Sequence, residues 1–201
     1  MIVSSFMFSA CSGSSDVTAT TFQLNADGTV THTVIDTASV DESSLRSYID
    51  DALAAYNTDE ENPAVELDSL SVKSDTPEVR IVMEYDSVSD YAAFNQVSAF
   101  SGTLSEALKA GYGFDGLFTT STGLTVSGYT LPAEYADLNV LILNEPLNVV
   151  IKDHDILCTG AATVDENGNY SIEADFDTTL PEVFQTTNSG YSYFVYQSEE
   201  K

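Results

Sequence analysis

Apolar and polar residues alternate with a period of two near the start of the chain, then switch to a helical period. Thr21-Phe22-Gln23-Leu24, Asn25-Ala26-Asp27-Gly28 and the run from Thr29 to Ile35 read as a β-hairpin, with Asp-Gly supplying the positive φ of a tight turn. Beyond it, Leu45, Ile49, Ala52, Leu53 and Tyr56 fall at i, i+4, i+7, i+8 and i+11, one apolar stripe. Glu42, Arg46 and Asp50 lie away from most of that stripe, and Asp41 is placed to cap it. The spacing predicts a helix from about Asp41 to Tyr56 that packs Leu45, Ile49, Leu53 and Tyr56 on a sheet containing Val79–Tyr85. Asp59-Glu60-Glu61-Asn62-Pro63 then reads as a solvated loop.

Two strands follow. Val65, Leu67 and Leu70-Ser71-Val72 alternate loosely, and Val79, Ile81 and Met83 alternate against Arg80, Val82 and Glu84. Ser74-Asp75-Thr76-Pro77 is the turn between them. Ser87-x-x-Asp90 and Thr103-x-x-Glu106 match capping boxes. The first opens a helix through Tyr91 and Phe94, and the second a short one stopped by Gly111 in a left-handed conformation. From Leu117 onward the pattern is mainly β. The expected strands are Leu117–Thr120, Leu124–Val126, Val140–Leu143, Leu147–Lys152, Ile156–Thr163, Tyr170–Ala174 and Tyr191–Tyr196. Asn167-Gly168 marks a hairpin, and Pro132 a single helical turn. Tyr191, Tyr193 and Val195 face one way and Phe194 and Tyr196 the other, which predicts an interior strand. The class implied is α+β: a hairpin–helix–two-strand unit with short helices over residues 20–116, and a β-rich unit over 117–201 packed with it.

Charge narrows the partners more than the fold. The 201 residues carry 32 acidic and 6 basic side chains, a net charge of −26. Such a balance opposes binding to nucleic acid and electrostatic docking on anionic lipid. Hydrophobic content of 43% is that of a folded domain.

The first eleven residues carry the one motif with a definite chemical reading. Met1 to Ala10 is uncharged and mostly apolar, and it ends in Phe8-Ser9-Ala10-Cys11. A large apolar residue, two small ones and a cysteine form a lipobox, in which the thiol receives a diacylglycerol. Small residues let a lipid-transferring enzyme reach the thiol in an extended chain. A secretory signal also carries a positive n-region. None precedes Ile2, so residues 1–11 are expected to be a signal segment truncated at its start. Ser12-Gly13-Ser14-Ser15 opens a flexible linker over residues 12–19. With Cys11 acylated, Cys158 stands without a partner in the apolar run Ile156-Leu157-Cys158, where a buried, inert thiol is expected. A disulfide between the two cysteines is the alternative and would deny the lipobox.

With that start, the order of hairpin, long helix and two strands, then Asp90-Tyr91-Ala92-Ala93-Phe94-Asn95, Gly102-Thr103-Leu104-x-Glu106-Ala107 and Gly111-Tyr112, resembles uncharacterised lipoproteins of Gram-positive anaerobes. The resemblance covers most of the mature chain. It implies location and a shared α+β fold, and brings no catalytic residues with it.

Other candidate chemistry has simpler readings. Gly111-Tyr112-Gly113-Phe114-Asp115-Gly116 matches G-x-G-x-x-G, but follows a helix and leads to a strand, the reverse of a phosphate cradle. Asp153-His154-Asp155 sets an imidazole between carboxylates, yet neighbours in a strand point to opposite faces. A turn with an exposed histidine is expected there. His32, in a Thr-rich strand, is expected at the surface or within the sheet. Asp165, Asn167 and Asn169 have calcium-ligand chemistry without the EF-hand spacing, and a hairpin turn explains them. No motif asks for a cofactor, a metal or a catalytic residue. The sequence therefore reads as a non-enzymatic binding or scaffold module. It would be lipid-anchored at Cys11 to the outer face of the cytoplasmic membrane, with an unidentified protein or small-molecule ligand. The alternatives are an extracytoplasmic hydrolase using a carboxylate pair, which needs two carboxylates converging in a pocket, and a calcium-dependent adhesin with a cage near Asp165.

Overall fold

The computed structural model describes residues 17–58, 63–73, 76–114, 117–120, 124–127, 136–161, 163–164, 170–171, 184–185 and 190–198. The fold is α+β. Its first half runs β1 (Thr21–Leu24), β2 (Val30–Thr37), α1 (Glu42–Tyr56), β3 (Val65–Val72), β4 (Glu78–Tyr85), α2 (Val88–Asn95), β5 (Ala99–Thr103) and α3 (Leu104–Lys109). Strands follow: β6 (Leu117–Thr120), β7 (Thr125–Ser127), β8 (Asn139–Leu143), β9 (Asn148–Ile151) and β10 (His154–Ala161). The last are β11 (Thr163–Val164), β12 (Tyr170–Ser171), β13 (Phe184–Gln185) and β14 (Ser192–Ser198).

Local chemistry sets the element ends. The first hairpin closes on three residues. Gly28 N–H donates to Asn25 O at 3.0 Å, and Asn25 N–H to Thr29 O at 2.9 Å. Gly28 alone takes a positive φ, +89°, so the expected tight Asp-Gly turn is a longer loop with one left-handed residue. Asp41 caps α1 by accepting from Ser44 N–H. Ser87 caps α2 through Asp90 N–H, and Thr103 and Glu106 form a reciprocal capping box on α3. At the end of α3, Tyr112 N–H reaches Ala107 O at 3.0 Å and Gly111 N–H reaches Leu108 O at 3.1 Å. With Gly111 at φ +95°, this is a Schellman ending.

The strands form two six-stranded sheets, ordered β13-β9-β1-β2-β4-β3 and β5-β8-β14-β10-β6-β7, and β11 pairs with β12. Each large sheet mixes strands from both sides of residue 116. β9 joins the first by running parallel to β1, and β5 joins the second beside β8. The free edge of β3 is closed at its start by Asn57. That amide donates to Val65 O at 2.7 Å and accepts from Val65 N–H at 3.1 Å, standing in for a neighbouring strand.

Alternation then decides the core. In β14, Phe194 and Tyr196 point to the core shared with the first sheet, together with Leu141 and Leu143 of β8. Tyr193 and Val195 point the other way, with Val140 and Ile142, to a second cluster under α3, Phe114 and Phe118. The strand lies between β8 and β10, as its two apolar faces require. From the first sheet, Phe22, Leu24, Val30, Met83 and Tyr85 enter the shared core. Ile49 is buried against it, and Leu45, Leu53 and Tyr56 pack beside Ile49, as the apolar stripe of α1 dictates.

Candidate functional site

Two polar arrangements emerge, one on each face of the first sheet. The first begins with register. Gln23, Thr31, Glu84 and Glu66 form one row across β1, β2, β4 and β3. Because Met83 and Tyr85 face the aromatic core, Glu84 faces away from it. Gln23 Nε2 donates to Asn25 Oδ1 at 2.7 Å, and Asn25 Nδ2 donates to Thr31 Oγ1 at 3.1 Å. Thr31 Oγ1 in turn donates to Glu84 Oε2 at 2.9 Å. Glu84 is half-buried, and burial pushes its carboxyl above the usual range. Thr31 opposes that shift, while the charges of Asp68, Asp27 and Glu66 add to it. A carboxyl so placed can hold a proton or attract a cation. Glu66 stands directly opposite it but in solvent. Among the described residues, no three His, Cys, Asp or Glu side chains group as a metal site requires.

The second arrangement is aromatic and lies inside. Tyr91, at 0% exposure, projects from α2 onto the sheet. Phe22, His32 and Tyr85 surround it edge-on, with centroids at 4.9, 5.1 and 5.3 Å. Its hydroxyl donates to Glu145 Oε2 at 2.6 Å, across to the loop between β8 and β9. Burial, reinforced by Glu145, raises the Tyr91 phenol far above its ordinary value. Burial also pushes Tyr85 up to about 12, against the hydrogen bond that its hydroxyl accepts from Asn95. Glu145 is raised by burial, and the Tyr91 hydroxyl pulls it back. Removing that hydroxyl leaves the half-buried carboxylate short of a donor. Tyr91→Phe is expected to cost about 1–3 kcal/mol, read by urea unfolding at pH 7.

The residues singled out from sequence fall in different places. His32 sits inside the sheet, buried on the same face as Phe22 and Met83. His154 departs from expectation. The turn is Lys152-Asp153, with Asp153 at φ +54°, and His154 already opens β10. Its ring is half-buried 4.8 Å from Tyr196, while Asp153 and Asp155 are exposed. Alternation along β10 turns the imidazole inward and Asp155 outward. Gly111 ends a helix, and β6 follows, so the glycine motif has the helix-to-strand order. Cys11 lies outside the described residues, as do Asp165, Asn167, Asn169 and the Asp59-Glu60-Glu61 run. Val164 pairs with Tyr170 on either side of the Asn167-Gly168 segment.

Comparisons with family models, curated proteins and solved structures find no match for this chain. The Tyr91–Glu145 and Thr31–Glu84 contacts join residues 54 and 53 positions apart, so no local spacing marks them. The available signal was the strand period, which puts Thr31 and Glu84 on the polar side of their strands and His32 on the apolar side. Among the described residues, no helix is long and apolar enough to cross a membrane.

Proposed function

We propose that this chain is a lipid-anchored, extracytoplasmic binding or scaffold module that performs no chemistry of its own. The observation that carries the reading is Phe8-Ser9-Ala10-Cys11 followed by Ser12-Gly13-Ser14-Ser15. Thioether attachment of a diacylglycerol to the Cys11 sulfur would give two acyl chains, enough for stable attachment where one chain holds only marginally. Val17 O accepts from Arg80 and Thr20 is hydrogen-bonded to Ile35, so the expected linker over residues 12–19 is already tied to the first sheet from Val17. Five residues, Ser12 to Asp16, separate Cys11 from Val17, and fully extended they would reach about 17 Å. The net charge of −26 favours a domain standing off an anionic membrane rather than lying on it. The binding reading draws support from what the perturbed groups do. Asp41 is held low by the Ser43 and Ser44 hydroxyls and the Ser44 N–H, Glu106 by the Thr103 N–H and hydroxyl of the box it closes, and the Tyr91 hydroxyl on α2 is taken by Glu145.

The test is Cys11→Ser in the native host, followed by detergent phase partitioning. The wild-type chain is expected in the detergent phase and the variant in the aqueous phase. Wild-type protein in the aqueous phase, or both proteins in the detergent phase, would overturn the anchor.

A further inference from the structure

We propose that His32 is an acid-sensitive latch for α2: protonation of its buried ring releases the helix from the first sheet, while β8 and β14 stay paired. His32 is 7% exposed, flanked across the strands by Phe22 and Met83 and covered by the Tyr91 ring. Neither Nδ1 nor Nε2 has a hydrogen-bond partner among the described residues. A neutral imidazole tolerates that site. An imidazolium would be a buried cation without an acceptor, which is far more costly.

The titratable groups around it are already engaged elsewhere. On α2, Tyr91 donates to Glu145, and Asp90 accepts from Tyr56 Oη and Ser87 Oγ. On β4, Tyr85 is taken by Asn95, and Glu84 faces the opposite side of the sheet. On β14, the Tyr196 hydroxyl lies beside Ser101 Oγ. β1 offers Phe22. A protonated ring must therefore reach water, and the elements on it differ in strength. β2 is hydrogen-bonded to a strand on each side. α2 has eight residues, too few to persist without its packing, and its buried residues are Val88 and Tyr91. The helix is the part that yields, uncovering Phe22 and Tyr85.

The sign follows from linkage. Burial lowers the His32 imidazole from 6.5 to about 4, so acid favours whichever state lets it protonate. The closed state is fully favoured above pH 6.5, and the advantage fades as pH falls toward 4. Glu145 works in the opposite direction, because its raised carboxyl is relieved by protonation in place. It cannot be the source of acid release.

Native-state amide exchange on the full chain, corrected for intrinsic rates, tests this at pH 7.5 and pH 5. Between them, α2 is expected to lose about thirtyfold in protection, with β14 amides unchanged. His32→Leu should remove the loss. His32→Gln, which cannot titrate but stays polar, should give an α2 whose protection is the same at both pH values. The latch is overturned if α2 loses equally in either variant, if the wild type shows no loss, or if β14 opens in step with α2.

Discussion

Phe22→Ala is expected to lower the stability of the domain by about 3–5 kcal/mol, the cost of emptying a fully enclosed aromatic site. Phe22 has 0% exposure. It stands on β1, which is flanked by β2 and the parallel β9, and its ring meets the Tyr91 edge at 4.9 Å. The same core takes Leu141 and Leu143 from β8 and Phe194 from β14, so the residue sits where both sheets meet. A cavity there cannot collapse by moving one loop, because paired strands frame it. The chain has no tryptophan and 11 tyrosines, so far-UV and tyrosine near-UV circular dichroism in urea are the suitable readouts. An unchanged m-value with a reduced midpoint is expected. A cost under about 1 kcal/mol would mean the sheets do not share this core.

Gly160→Ala should destabilise by about 1–3 kcal/mol for the opposite reason, excess volume. Gly160 is buried in β10, and an added Cβ would meet the Phe118 ring at 2.8 Å. Phe118 is 2% exposed and packs at 6.0 Å against Phe114 and 5.9 Å from Tyr193. The ring covers the glycine, filling the space that a side chain would take. With Phe114 and Tyr193 packed on the ring, either the ring or the strand must shift to admit the methyl. Phe118→Leu in the Gly160→Ala background should recover part of the loss, with a coupling of about 0.5–3 kcal/mol in a double-mutant cycle. Strict additivity would show that the ring and the glycine are not in contact.

Much of this arrangement is legible in the amino-acid pattern, and the misses have physical causes. The stripe from Leu45 to Tyr56 and the double-faced Tyr191–Tyr196 run are strong periodic signals, and both elements form where burial requires them. The helix starts at Ser87 and Thr103 read correctly because capping is local hydrogen bonding, but the reciprocal box forms only at Thr103, since the Asp90 carboxylate takes the Ser87 hydroxyl instead of its backbone N–H. β5 is not apparent. Ala99-Phe100-Ser101-Gly102 has a glycine and little alternation, and becomes a strand because β8 offers its edge. β13 is only two residues long. The parallel pairing of β1 with β9 depends on where the chain returns after more than a hundred residues, which no local period encodes. The burial of His32 was within reach. Val30, His32 and Val34 share one face of β2, and that face packs inward at Val30 and His32. Composition hid it, since threonines surround the histidine. The polar row through Glu84 depends on register between strands brought together by the fold, and residue types alone do not fix register.

The proposed place of the protein rests on Cys11. Intact-mass and N-terminal peptide spectrometry of the protein extracted from its native membrane tests it most directly. The expected N-terminal residue is Cys11, with everything before it removed and a diacylglycerol on its sulfur. An unmodified cysteine in a chain that still carries Met1 to Ala10 would contradict the anchor, and with it the proposed place of the protein outside the membrane.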